Sequence, residues 1–249
     1  MKKKAFTLAE ILITLGIIGI VAVLSMSALI AKYKEKETVV KLKKVYSVLD
    51  NGFNQMIFDE GTVNSWSDDH GERQARLWEL FPKYFNVAKT CNKNNQCMPS
   101  SYKSLRPDTQ YANNISASIK QYVLNDGTAL SIAYNAGSSI ACTENKAYTK
   151  TIYGGYSVFC GRLLVDINGR KGPNTAGKDV FYFFLMQDGI FPAGSSKERI
   201  WTNTFANQCL RGNAYGIAEA HCTAWVIFNG NMDYLRCDDL SWTGKTTCK

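Results

Sequence analysis

The hydrophobic pattern along the chain falls into three regimes. Residues 6–31, FTLAEILITLGIIGIVAVLSMSALIA, are apolar or glycine except at Thr7, Glu10, Thr14, Ser25 and Ser27. A helix apolar on every side has no face for water. These 26 residues would span about 39 Å, against roughly 30 Å for a bilayer's hydrocarbon core. From Lys32 the pattern becomes amphipathic. Val39, Leu42, Val45, Tyr46, Leu49, Phe53, Met56 and Ile57 recur at three- and four-residue spacing, with lysines on the other face. The spacing predicts one helix from Phe6 to about Phe58, its second half packed on a globular head.

Beyond residue 58 the period changes. RQARLWELFPKYF (residues 73–85) reads as a short amphipathic helix stopped by Pro82. TCNKNNQCMPSS (residues 90–101) reads as a polar loop. QYVLNDGTALSIAY (residues 121–134) holds two short runs around Asn125-Asp126-Gly127, a hairpin signal. Leu163, Val165 and Ile167 alternate before Asn168-Gly169. DVFYFFLMQDGIFPAG (residues 179–194) reads as a strand turning at Asp188-Gly189. These runs predict an α+β fold, an antiparallel sheet laid against the long helix.

Charge sharpens the first regime. The net charge is +8, and nine lysines precede residue 51: Lys2, Lys3, Lys4, Lys32, Lys34, Lys36, Lys41, Lys43 and Lys44. Four acids face them: Glu10, Glu35, Glu37 and Asp50. The rest of the chain carries 20 basic and 17 acidic residues, so the excess flanks the apolar run. Such a bias suits membrane orientation or lipid contact. No basic face interleaved with aromatics marks a nucleic-acid domain.

All eight cysteines follow the apolar run: Cys91, Cys97, Cys142, Cys160, Cys209, Cys222, Cys237 and Cys248. None forms Cys-x-x-Cys, which argues against a zinc ribbon or thioredoxin-type site. An even number in an exported domain reads as disulfides in an oxidising compartment. Of the 105 connectivities that eight cysteines allow, near-neighbour pairing is expected: 91 with 97, 142 with 160, 209 with 222, and 237 with 248.

An ordinary secretory signal does not fit the start. The apolar run is too long, and no turn with a small-x-small site closes it. The small residue, Ala5, stands instead between the lysines and the run. KKKAFTLAEILITLGIIGIVAVL (residues 2–24) resembles the class III signal of type IV pilins and type II secretion pseudopilins. In that family a prepilin peptidase cuts before a phenylalanine and the new amine is methylated. A glutamate at the fifth mature position is the hallmark. The resemblance implies a cut between Ala5 and Phe6, N-methylation of Phe6, and Glu10 as the fifth mature residue. It departs at Ala5, where glycine is usual. It also lacks a proline late in the apolar run, so any kink there must come from Gly16 and Gly19.

The resemblance implies a domain layout: leader 1–5, membrane and filament-core helix 6–31, amphipathic continuation 32–58, pilin head 59–249. It also implies a single pass through the inner membrane with the head outside it. The partners would be copies of itself and other pilins, the prepilin peptidase, an assembly ATPase and a membrane platform. A cell-surface pilus or a periplasmic pseudopilus would result. The other reading is a minor or tip subunit acting as an adhesin or a DNA- or ligand-binding module.

Glu10 has a physical account within this frame. A charge at the bilayer centre costs about 2.5–3.5 kcal/mol on insertion scales. Cleavage would create an amine at Phe6, four residues away on the same helix face. Sliding one helix past another by about 5.4 Å would bring Glu10 beside a neighbour's amine. The plainer reading has Glu10 at the interface, reaching cytoplasmic water.

DINGRKGPNTAGKDVF (residues 166–181) crowds hard oxygen ligands: Asp166, Asn168, Asn174 and Asp179, with Gly169, Gly172 and Gly177 to bend the backbone. Calcium takes 6–8 such oxygens. The spacing is not an EF-hand, and Arg170, Lys171 and Lys178 weaken the field. A glycine-rich loop of Asx-turns is the favoured reading.

Nothing predicts an enzyme. His70 lies in a polar stretch, and His221 adjoins Cys222, whose side chain should point elsewhere. No Gly-x-Ser-x-Gly, His-Glu-x-x-His or phosphate loop occurs. Asp238 and Asp239 read as a solvated pair. Trp242, in the tail CDDLSWTGKTTC (residues 237–248), is either a surface contact or core.

Overall fold

The computed structural model describes residues 7–91, 96–105, 110–112, 119–134, 142, 147–149, 156–195, 205–210 and 220–248. They fall into two units divided between Glu37 and Thr38. Helix α1, Leu8–Glu60, contributes to both. It ends two residues beyond the expected Phe58, because Gly61 supplies the left-handed turn (φ 83°) that closes it. The Gly61 N–H donates to the carbonyl of Ile57 (2.9 Å), a glycine C-cap.

In the second unit, the amphipathic stripe of α1 is buried as its spacing required. Val39, Leu42, Val45, Leu49, Phe53 and Met56 join the main core, with Tyr46 and Ile57 at its margin. Helix α2, His70–Tyr84, starts three residues earlier than its apolar pattern suggested. The Asp69 carboxylate caps it, accepting from the Glu72 N–H (2.9 Å). Pro82 does not stop α2 but lies inside its last turn. A proline there forfeits one hydrogen bond, while Leu77, Leu80 and Phe81 remain buried in the core.

Strands β1 (Val87–Cys91), β4 (Ile119–Leu124), β5 (Ala129–Tyr134), β7 (Tyr156–Asp166), β8 (Val180–Met186) and β9 (Gly189–Pro192) pair in the order β1-β4-β5-β7-β8-β9. Every pairing is antiparallel, and β6 (Ala147–Thr149) pairs with β7. Strands β2 (Ser101–Lys103) and β3 (Gln110–Ala112) form a separate pair. The hairpin at residues 125–127 joins β4 to β5, with Thr128 N–H donating to Asp126 (3.0 Å). The turn after β8 falls on Gln187 and Asp188, so Gly189 opens β9 rather than completing the turn.

Strand β8 is buried along its whole length. Phe181, Phe183 and Leu185 face the cluster that holds α1. Val180, Tyr182, Phe184 and Met186 face a second cluster with Met98, Tyr102, Ala193 and Ala220. A continuous apolar run is what a strand covered on both faces requires.

Segments that carried no clear periodic signal complete the head, with Phe205 and Trp225 in the cluster that holds α1 and Ala220 in the second. Helix α3, Thr223–Asn229, abuts β8 through Thr223, whose Oγ1 accepts from Tyr182 N–H (2.8 Å). Trp225 stacks on Phe205 (centroids 4.1 Å apart). Trp242 is half-buried: it packs on both rings and donates to the Gly194 carbonyl (3.1 Å). His221 is buried and stacks on Tyr182 (4.6 Å). The disulfides join Cys91–Cys97, Cys142–Cys160, Cys209–Cys222 and Cys237–Cys248. His70 opens α2 and rests against Tyr134 (5.0 Å). Asp239 pairs with Lys245 (2.8 Å), which holds its carboxyl below the ordinary range.

Phe183 is fully buried and stacks on Tyr46 of α1 (5.9 Å). Phe183→Ala should cost about 3–5 kcal/mol through the cavity it leaves. Phe58→Ala, at an 83% exposed position, should stay within about 0.5 kcal/mol. Urea unfolding under non-reducing conditions measures both.

Candidate functional site

Two places in the chain carry chemistry beyond packing. The first is the start of α1. Its apolar side chains, among them Leu8, Leu12, Ile18, Val23 and Leu29, are exposed. By length and composition the helix can cross a membrane. Its hydroxyls are satisfied along the helix itself. Thr14 Oγ1 donates to the carbonyls of Glu10 (2.9 Å) and Ile11 (3.0 Å). Ser25 Oγ donates to Val21 (2.9 Å), and Ser27 Oγ to Leu24 (3.3 Å). Segments surrounded by hydrocarbon need such internal pairing.

Glu10 sits in the first turn. The Thr7 N–H and hydroxyl each donate to Glu10 Oε2 at 2.8 Å. The Glu10 N–H donates back to Thr7 Oγ1 at 3.3 Å. This is a reciprocal capping box, which satisfies donors that a helix start otherwise leaves open. Thr7 was not among the expected functional residues, yet the Thr-x-x-Glu spacing was its signal. Ala5 and Phe6, the expected cleavage and methylation positions, lie outside the described residues.

The second place is the loop between β7 and β8. Sequence reasoning grouped Asp166, Asn168, Asn174 and Asp179, and the fold brings them into one hydrogen-bonded network. Asp166 Oδ1 accepts from Asn168 N–H (3.2 Å), the expected Asx-turn. Asp179 gathers the far side. Its Oδ2 accepts from Asn174 N–H (2.7 Å) and Asn168 Nδ2 (3.2 Å), and its Oδ1 from Thr175 N–H (2.6 Å). Gly169 (φ 65°) and Gly177 (φ 76°) supply left-handed turns, as does Asn174 (φ 52°). Gly172 does not use that region.

The Asx-turns do not use up the loop's oxygens. Asp166 Oδ2, Asn168 Oδ1 and Asn174 Oδ1 are shielded from solvent and accept no hydrogen bond. The Asn168 amide nitrogen already faces two acceptors, the Asp179 carboxylate and the Gly172 carbonyl (3.2 Å). Its orientation is thereby set, with the oxygen pointing away from them. Asp166 is 0% exposed and Asp179 4%. Burial, then the charge of Asp179, pushes the Asp166 carboxyl up to about 8. Burial also raises Asp179, against the hydrogen bonds it accepts. Tyr102 of β2, missed at the sequence level, completes the surroundings. Burial and the charges of Asp166 and Asp179 raise its phenol. Arg170, Lys171 and Lys178 are all exposed.

Among the described residues, no three of histidine, cysteine, aspartate and glutamate gather as a metal cluster. The donor set at this loop is two carboxylates and two amides.

Residues 1–26 match the family model for the prokaryotic N-terminal methylation motif. This is the class III signal of type IV pilins and pseudopilins. It supports a membrane-anchored precursor of that type, and it implies processing by prepilin peptidase and assembly into a filament with other pilins. No curated protein and no solved structure matched the chain.

Thr7→Ala removes both hydroxyl bonds of the capping box while leaving Glu10 in place. It should weaken the first turn by about 0.5–2 kcal/mol. Amide exchange at Glu10 and Ile11, followed in detergent micelles, should quicken by roughly 2- to 30-fold with no change in the head.

Proposed function

We propose that the chain is a structural subunit of a type IV pilus or type II secretion pseudopilus. Prepilin peptidase cuts between Ala5 and Phe6, and the amine of Phe6 is then methylated. Residues 6–31 anchor the precursor and become the filament core, residues 32–58 continue the helix into the head, and residues 59–249 form that head. The assembly ATPase and membrane platform come from other proteins.

The observation that carries this reading is the combination of the methylation motif at residues 1–26 with an exposed apolar helix bearing Glu10. An exposed helix of this kind is stable in lipid, or among copies of itself, but not in water. Glu10 then selects the register. Interchangeable apolar helices slide past one another at little cost, whereas a carboxylate in lipid requires a cation. The Phe6 amine of a neighbouring subunit meets that need. Thr7 holds the carboxylate until it arrives, because the capping box is intrachain and present in the precursor. The four disulfides support a head that matures outside the cytoplasm.

Mass spectrometry of the mature N-terminus tests the processing. A chain beginning at singly methylated Phe6 is expected, and an intact Met1 would sink the proposal. Glu10→Ala should still be cleaved but fall at least roughly tenfold in sheared filaments, the effect of losing a charged hydrogen bond of about 1.5–3 kcal/mol. Normal assembly without Glu10 would refute the pairing. The wild-type fraction also separates roles: a main subunit dominates sheared filaments, whereas a tip adhesin is scarce.

A further inference from the structure

Three lysines stand around one cavity of the second unit, which has a volume of about 300 Å³. Lys41 and Lys44 come from α1, where a spacing of three residues puts them on one helix face. Lys171 comes from the loop after β7, and Asp126 from the turn between β4 and β5. These four residues are exposed, while Val45, Thr128 and Ile167, which also line the cavity, are buried. The cavity thus combines a dry floor with a charged rim. Its two loops are pressed together: a Cβ at Gly169 would lie 2.9 Å from the Gly127 carbonyl oxygen. Backbone contact, not long side chains, therefore holds these walls in place.

Charge is unbalanced at this place. Three lysines and one aspartate line the cavity, a net of +2. Asp126 is committed in part to its own hairpin, where its Oδ1 accepts from the Thr128 N–H (3.0 Å). Among the described residues, Lys44 and Lys171 belong to no ion pair. Like charges gathered around one cavity repel, and an anion among them removes that cost. Asn168, which also lines the cavity, has a different need. Its nitrogen is taken up by the Asp179 carboxylate and the Gly172 carbonyl, while its Oδ1 is shielded from solvent and accepts no hydrogen bond. That oxygen needs a donor, which a bare anion does not bring and a hydroxyl does.

We propose that this cavity binds a glycerol phosphate group, with Lys41, Lys44 and Lys171 on the phosphate and Asn168 Oδ1 accepting from a glycerol hydroxyl. A phosphate carries about one negative charge as a diester and approaches two as a monoester at neutral pH, which suits the net charge of the rim. Lysine binds phosphate as a point charge, without the fixed fork that arginine brings. A carboxylate offers a single charge and no hydroxyl. Volume favours an ester over a bare ion. The cavity is roughly ten times one water molecule's share of the liquid, so a phosphate fills part of it and leaves room for glycerol carbons against Val45 and Ile167. The same group occurs free, as glycerol 3-phosphate, and in the headgroup of phosphatidylglycerol.

The test uses the full chain, non-reduced, in neutral maltoside micelles at about 50 mM salt, where screening is modest. Isothermal titration with glycerol 3-phosphate should find one site per chain with Kd on the order of 1 mM. A parallel titration with dihexanoyl phosphatidylglycerol, set against dihexanoyl phosphatidylcholine, separates the two sources. Tighter binding of the glycerol lipid by at least about tenfold assigns the headgroup, and equal or tighter binding of the soluble ester assigns the free ligand; either supports the site. Lys44→Glu and Lys171→Glu should each weaken the bound ester by at least about fivefold. Lys178→Glu makes the same charge change on the same loop, outside the cavity, and should alter Kd less than about twofold. All three positions are exposed, so Tm should hold in each variant. No binding of either ester up to about 20 mM would overturn the site. So would equal binding of inorganic sulfate, or an equal loss in Lys178→Glu.

Discussion

The head depends on one seam, where the stripe Val39–Leu42–Val45–Leu49–Phe53–Met56 meets the inner face of the sheet. Each of these side chains removes apolar surface from water, worth about 1.5–3 kcal/mol when complete. A strand pair alone is at best marginal in water, so the sheet needs this helix as its covering layer. The dependence is mutual, because residues 38–60 present one apolar stripe that the sheet receives. Phe183, at the middle of β8 and against Tyr46, lies where the two layers meet.

The same helix obeys a different rule in its first half. There the side chains have no protein around them, and what they require is another apolar medium. Every polar group in that stretch is consequently paired locally: Thr14, Ser25 and Ser27 with carbonyls one turn back, and Glu10 with Thr7. Glu10 is the exception that gains from outside, since its carboxylate has more acceptor capacity than one threonine fills. A filament built from such helices can take its register from that surplus.

The loop after β7 follows an equivalent logic within the head. Its glycines and Asx-turns account for the shape of the chain, and Asp179 organises it. They do not account for the oxygens that remain. The turns shape the loop, and three buried acceptors are left over.

Much was legible before the fold was known, because it rested on local periodicity. The long helix, the buried stripe at residues 39–56, the 125–127 hairpin and the β8 run follow from spacings of 3.6 and 2. The N-terminal signal is linear, and so is the grouping of Asp166, Asn168, Asn174 and Asp179. Other features were decided only by contacts distant in sequence. Pro82 stays within α2 because Leu77, Leu80 and Phe81 are anchored in the core. Trp242 is drawn inward by Phe205 and Trp225, thirty-seven and seventeen residues earlier in the chain. Strands β1 to β3 and helix α3 are too short to show a period, and their conformation comes from the partners they meet. The orphaned oxygens were also invisible in the sequence. A residue type shows what can accept a hydrogen bond, but only the packed structure shows which acceptors are buried and left over.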